Sequence, residues 1–161
     1  MSVSARVAAG ATGGVVGSVL MGGPYLAARK VGIIGKPPPE RITEGLLHRA
    51  GVRADPKTED ALSVVAHLGF GGVAGALYGL VAPRAASVGR ALAFGAAYGT
   101  GIWAVSYAGW VPALRLMPPP TRDQPERQIV VFVNHWIYGA AVALAVRSVD
   151  RRLDDTGVDS D

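Results

Sequence analysis

The chain has 161 residues, half of them apolar, with 16 Lys and Arg against 12 Asp and Glu and no cysteine. Without cysteine there are no disulfides, thiolate metal sites, iron–sulfur clusters or cysteine nucleophiles. The charges avoid four runs, residues 7–28, 61–83, 91–114 and 128–146, which hold every aromatic residue, and this segregation argues against an ordinary soluble domain. Each run is close to the roughly 20 apolar residues that carry a helix across a bilayer. The expected fold class is all-α: a four-helix transmembrane bundle forming one domain over 1–153, with the lipid bilayer as its partner. The net charge of +4 sits at the ends of the runs, where membrane proteins keep it, so no nucleic-acid face is expected.

The first helix is expected over 7–28, with Pro24 near its end. Its apolar stretch exceeds the roughly 7–15 residues of a signal peptide, which favours a retained span. The segment Gly10-Ala11-Thr12-Gly13-Gly14-Val15-Val16-Gly17 is spelled like a phosphate loop. It lacks the preceding strand and the following acid of a dinucleotide site, so no nucleotide is expected. The loop over 29–55 carries Pro37-Pro38-Pro39. Glu40–Ala50 within it fits a short helix with Ile42, Leu46, Leu47 and Ala50 on one side, stopped by Gly51. Such a segment either lies on the membrane surface or forms a solvated turn.

The second helix is expected over 56–82. Asp55 caps it, Pro56 suits its first position, and Glu59 and Asp60 suit the positive end of its dipole. The short link that follows predicts an antiparallel neighbour, the third helix over 91–111, with Pro112 near its exit. The next loop holds Pro118-Pro119-Pro120. The fourth helix is expected over 125–150, and the acidic tail over 154–161 is expected to be disordered.

The two halves echo each other. Pro37-Pro38-Pro39-Glu40-Arg41 matches Pro118-Pro119-Pro120-Thr121-Arg122, and His67-x-x-x-Gly71 matches His135-x-x-x-Gly139, in the same order. Two helices per half would give a parallel repeat about an axis along the membrane normal. Arg41 and Arg122, which follow the triprolines, fit caps or lipid-headgroup contacts, or a symmetric anion site.

Small residues recur every fourth position: Gly10, Gly14, Ser18 and Gly22; Gly71, Gly75 and Gly79; Ala91, Gly95 and Gly99; Gly139 and Ala143. That spacing makes a groove that another backbone enters, the usual basis of helix association in lipid. The surplus of such stripes allows a homo-oligomer. Tyr25, Tyr107 and Trp110 fall on the side of the two proline-rich loops, where an interfacial aromatic belt is expected.

His67 and His135 lie at matching depth, roughly 10–12 Å from that same side at 1.5 Å per residue. Each heads its own small-residue stripe, so both are expected to face the bundle. Asn134 adjoins His135, and Ser63, Thr100 and Ser106 offer further hydrogen bonds. One reading makes the histidines neutral packing groups that fix register. Another makes them a proton or ion pathway with Glu59, Asp60 and Glu126. Two histidines alone lack the remaining ligands of a zinc site, and tight packing opposes a haem, so no metal or cofactor is expected. No catalytic residue pattern is present, and an enzyme is not expected.

Pro112, Pro118-Pro119-Pro120, Glu126 and His135-Trp136, over roughly 99–152, resemble the YagU-like bacterial inner-membrane proteins. The first half matches only in layout, and its glycine-rich first helix departs from the family. The resemblance implies a four-span protein of the bacterial cytoplasmic membrane, of a family without an assigned function, with both termini cytoplasmic. Six Lys and Arg lie in the termini and middle loop against ten in the proline-rich loops, a count that leans the other way. The expected role is a structural or accessory membrane component; the alternative is a proton- or ion-coupled transporter or channel.

Overall fold

The computed structural model describes residues 3–158, with side chains through 152. Every regular element among them is helical. The first helix, α1, covers Val3–Lys30, longer at both ends than the charge-free run. Arg29 and Lys30 suit its negative C-terminal dipole. Gly32, at φ +76°, turns the chain out of it. The short helix in the proline-rich loop is present as α2, Pro38–Arg49, and Gly51 at φ +69° ends it.

Helix α3 covers Pro56–Val81 and starts as its sequence dictates. The Asp55 carboxylate accepts from the Lys57 and Thr58 backbone N–H groups at 3.1 and 3.2 Å and from the Thr58 hydroxyl at 2.6 Å. Helix α4 covers Val88–Val105, with the Ser87 hydroxyl accepting from the Arg90 N–H at 3.2 Å. It widens into a π-turn over Ser106–Trp110 and closes as the one-turn α5, Val111–Ala113, so the helical path is continuous over 88–113. A 3₁₀ turn over Pro120–Arg122 leads into α6, Pro125–Val158. The helix thus continues through most of the segment expected to be a disordered tail; residues 159–161 lie outside the described residues.

Three helices are long and apolar enough to cross a membrane: α1, α3 and the 125–152 part of α6. Their outward faces are aliphatic, with Val15, Val19, Leu26, Val64, Val73, Leu77 and Leu80 all exposed.

Close packing runs between α1 and α3, α1 and α6, and α4 and α6. The short link does not bring α3 and α4 into close backbone contact, contrary to the expected neighbour pair. They meet through aromatic rings instead: Tyr78 and Tyr98 lie 5.0 Å apart edge to face, and the Tyr98 hydroxyl donates to the Ala74 carbonyl. The glycine stripes explain the preference. A Cβ on Gly14 would strike the Gly71 carbonyl, one on Gly10 the Gly75 carbonyl, and one on Gly79 the Arg6 carbonyl. In the other half Gly95 and Gly139 oppose each other, and Gly99 lies on the His135 carbonyl. Glycines Gly13 and Gly17 admit α6 against α1, with Ala145 Cβ and the Tyr138 backbone in the space a side chain would take.

Two polar clusters close the ends. At one end Arg6 pairs with the buried Asp150 at 3.3 Å and donates to the Ala82 carbonyl at 2.6 Å, which joins α1, α6 and the exit of α3. At the other, the Tyr107 hydroxyl donates to Asp123, and Arg127 pairs with the same carboxylate at 2.7 Å. The Asp123 side chain is 2% exposed and that of Arg127 10%, so this is a buried pair, held in place by a phenol.

Candidate functional site

The α1 stripe is used only in part. Ser18 still contacts α3, but nothing lies within 4 Å of a Cβ built on Gly22. The helices diverge there, which corrects the expectation that Gly22 continues the packing. The space that opens there is a groove between α1 and α3, and adjoining it is a cavity of about 240 Å³ that Met21 and Tyr25 of α1 also line. The π-turn gives it Ser106, Tyr107 and Trp110, with Val111 following. A π-turn shifts the helix register locally, and such turns recur at functional sites. The amphipathic α2 covers the cavity with Pro38, Pro39, Ile42, Thr43 and Leu46. It packs against α3, with Lys36 2.9 Å from Glu44 and Arg29 3.6 Å from Glu40 at its exposed edge. The Glu44 hydrogen bond raises the Lys36 ammonium above its ordinary pKa, although that pair lies in open solvent.

His67 from α3 and His135 from α6 line this same cavity. The sequence placed them at equal depth; the fold brings them to one space. His135 Nδ1 lies 2.7 Å from the Val131 carbonyl, one turn back in its own helix. A carbonyl only accepts, so Nδ1 carries the proton, and in the neutral ring Nε2 is left as an acceptor. The His67 ring engages the Ser18 backbone across the α1–α3 contact. No Asp, Glu, Lys or Arg lines the cavity, so a charged imidazole there would have no counter-charge beside it.

A second groove, between α1 and α3, shares Tyr25, Pro39, Ser63 and His67 with the cavity and adds Val19, Gly22, Leu26, Val64 and Leu68. Glu40 and Asp60 line this groove as well. Of the expected polar site, then, His67 and His135 come together and Asp60 borders their approach. Glu59 and Glu126 line neither space. Asn134 has no exposed surface and does not line the cavity, and neither of its amide atoms has a hydrogen-bond partner among the described residues; Tyr25 is its polar neighbour.

The arginines that follow the triprolines do not converge. Arg41 borders a surface groove with Arg115, Arg49 and Glu44, whereas Arg122 is exposed and lies outside it. Tyr25 and Tyr107, expected in an interfacial belt, are 5% and 3% exposed and turn inward to the cavity. Their hydroxyls find polar surroundings inside, so they need not sit at the headgroups. Sequence reasoning missed the Tyr107–Asp123–Arg127 cluster. Its one signal was that Asp123 and Arg127 are spaced i, i+4 just ahead of the last apolar run.

On the far side of the histidines, Gly14 meets Gly71 and Gly95 meets Gly139 backbone to backbone. Among the described residues no group of three or more metal-ligating side chains gathers. No protein-family model, curated protein or solved structure matches this chain.

Proposed function

We propose that the chain is a four-span protein of the bacterial cytoplasmic membrane, without catalysis of its own, acting as an accessory protein that binds a small molecule in its histidine-lined cavity. The carrying observation is that His67 and His135 meet in a cavity lined by α2, beside the glycine contacts of α1 with α3 and of α4 with α6, and we read it as a receptacle open on one side. The fourth span is the continuous helical path over 88–113, about 39 Å at 1.5 Å per residue. The halves form a parallel repeat. Gly14 on Gly71 is matched by Gly95 on Gly139, and Gly14 precedes Gly95 by the same distance that separates the two triprolines. Within one copy the α1–α3 and α4–α6 glycine stripes are occupied except at Gly22, so a homo-oligomer would use another surface. The resemblance to YagU-like proteins supports placing both termini in the cytoplasm.

The absence of native cysteine makes single-cysteine probes clean. With an impermeant thiol reagent, Thr121→Cys and Val88→Cys are expected to react from opposite faces of the membrane. Ser106→Cys, inside the cavity, is expected to react only from the Thr121 face. Reaction from both faces would mean an open pore, and reaction from neither a cavity shut to water; each outcome overturns the one-sided receptacle.

A second reading, proton movement, is favoured by Asp60, Ser63 and His67, which share one face of α3 and line one groove. It requires the glycine contacts to open during the cycle. Vesicle proton flux that is abolished by His67→Gln with His135→Gln would support it; flux that survives the pair, or no flux at all, would dismiss it.

A further inference from the structure

We infer that the receptacle, resting on the reading above, takes the neutral hydroxylated ring of an amphipathic lipid of the quinol or alkylphenol class, whose apolar tail leaves along the groove between α1 and α3. Size comes first. About 240 Å³ is smaller than the roughly 300–1,000 Å³ of pockets that enclose drug-sized ligands. It holds one ring, and the rest of the ligand lies outside. The flat side chains of Tyr25, Phe70, Tyr107 and Trp110 line it, surfaces that suit a planar group.

Charge comes second. With no ionised side chain in the lining, an anionic or cationic head would be buried unpaired. At the approach Asp60 adds a negative charge, and Glu40 is already paired with Arg29, so a carboxylate or phosphate head is opposed there too.

Hydrogen-bond polarity decides the rest. Three polar groups of the cavity already direct their protons into the protein. His135 Nδ1–H donates to Val131, the Ser106 hydroxyl donates to the Ile102 carbonyl at 2.6 Å, and the Tyr107 hydroxyl donates to Asp123. Each leaves an acceptor lone pair for the cavity. Of the other polar groups in the lining, the Tyr25 hydroxyl lies beside Asn134, the Thr43 and Ser63 hydroxyls can turn either way, and Trp110 carries an indole N–H. A ligand that brings O–H donors satisfies His135, Ser106 and Tyr107; one that brings only carbonyl or ether oxygens leaves these three acceptors without a donor. The tail then follows the shared groove, whose Val19, Leu26 and Val64 are exposed aliphatic side chains continuous with the lipid-facing surface.

The test uses the full chain in nanodiscs carrying Thr43→Cys, a cavity-lining position on α2 that is not one of the three acceptors. The rate of thiol labelling is followed with a short-tailed alkylresorcinol, its dimethyl ether and a fatty acid of matched tail. The resorcinol is expected to protect at about tenfold lower concentration than either of the others, the effect of one to two hydrogen bonds gained. The ether partitions into lipid at least as strongly, so partitioning alone cannot give this order. His135→Leu is expected to erase the preference, each ligand's protection being compared with that variant's own unliganded rate. Equal or better protection by the ether or the fatty acid overturns the assignment. Labelling that no ligand slows overturns it too but leaves the receptacle standing, whereas unreactive Ser106→Cys removes the receptacle itself. The comparison of the three ligands decides the matter even if the His135 variant does not fold.

Discussion

Replacing Gly14 with alanine puts a methyl group where α1 and α3 touch backbone to backbone. The added Cβ would lie on the Gly71 carbonyl oxygen, 2.8 Å from the Gly71 carbonyl carbon and 3.1 Å from the Gly75 Cα, against 3.4–4 Å for ordinary contact. All three obstacles are backbone, so no side chain can turn aside, and the helices must part. Overpacking of this kind costs about 1–3 kcal/mol. Separation also weakens dispersion along the rest of the stripe, the main attraction between helices in lipid. Gly22→Ala is the internal control, because nothing lies within 4 Å of its Cβ. There only helix propensity acts, a gain of up to about 1 kcal/mol. The two substitutions, eight residues apart on one helix, should therefore change stability in opposite directions. Unfolding of detergent-solubilised protein by SDS titration, followed by tryptophan fluorescence, measures both. If Gly14→Ala is as stable as Gly22→Ala, the backbone contact is not what joins α1 to α3.

Other expectations follow from the polar clusters. Arg127→Leu leaves the Asp123 carboxylate buried without its partner and should destabilise by about 3–5 kcal/mol, read from the same titration; a change below about 1 kcal/mol would show that Asp123 is not buried as charge. Asn134→Leu removes an amide whose two polar atoms have no partner, and should raise the unfolding midpoint of the ligand-free protein. A lowered midpoint would reveal a hydrogen bond from a bound water or ligand. Lys36→Gln breaks a pair in which both side chains are about half exposed, and should leave the melting curve unmoved. The Thr58 hydroxyl, followed by the backbone N–H groups, holds the Asp55 carboxyl below its ordinary pKa. The cap therefore stabilises α3 fully above the unfolded carboxyl value near pH 4 and fades as pH falls below it. Asp55→Ala should flatten this part of the stability profile, and an unchanged acid limb would show that the cap is not titrating.

What the sequence determines by itself is local. The lengths of the apolar runs, the Asp55-Pro56 start, the Gly51 stop and the four-residue glycine spacing all follow from helix periodicity and from backbone rules that act within a few residues. The equal depth of His67 and His135 follows too, because depth is counted along a rigid rise. Which stripe meets which is not local. Four similar glycine faces can pair in several ways, and the short link between α3 and α4 favours the pairing that does not dominate. Tertiary packing chose α1 with α3 and α4 with α6, since only those pairs bring glycine against glycine along both helices. The divergence at Gly22 then made the groove, and the π-turn at Ser106–Trp110 and the cover of α2 made the cavity beside it. Those features exist only when helices far apart in the chain are in place. The same packing turned Tyr25 and Tyr107 inward and gave Asp123 a buried partner. A residue's depth is set along its own helix, whereas its direction and its hydrogen-bond partner are set by the helix beside it.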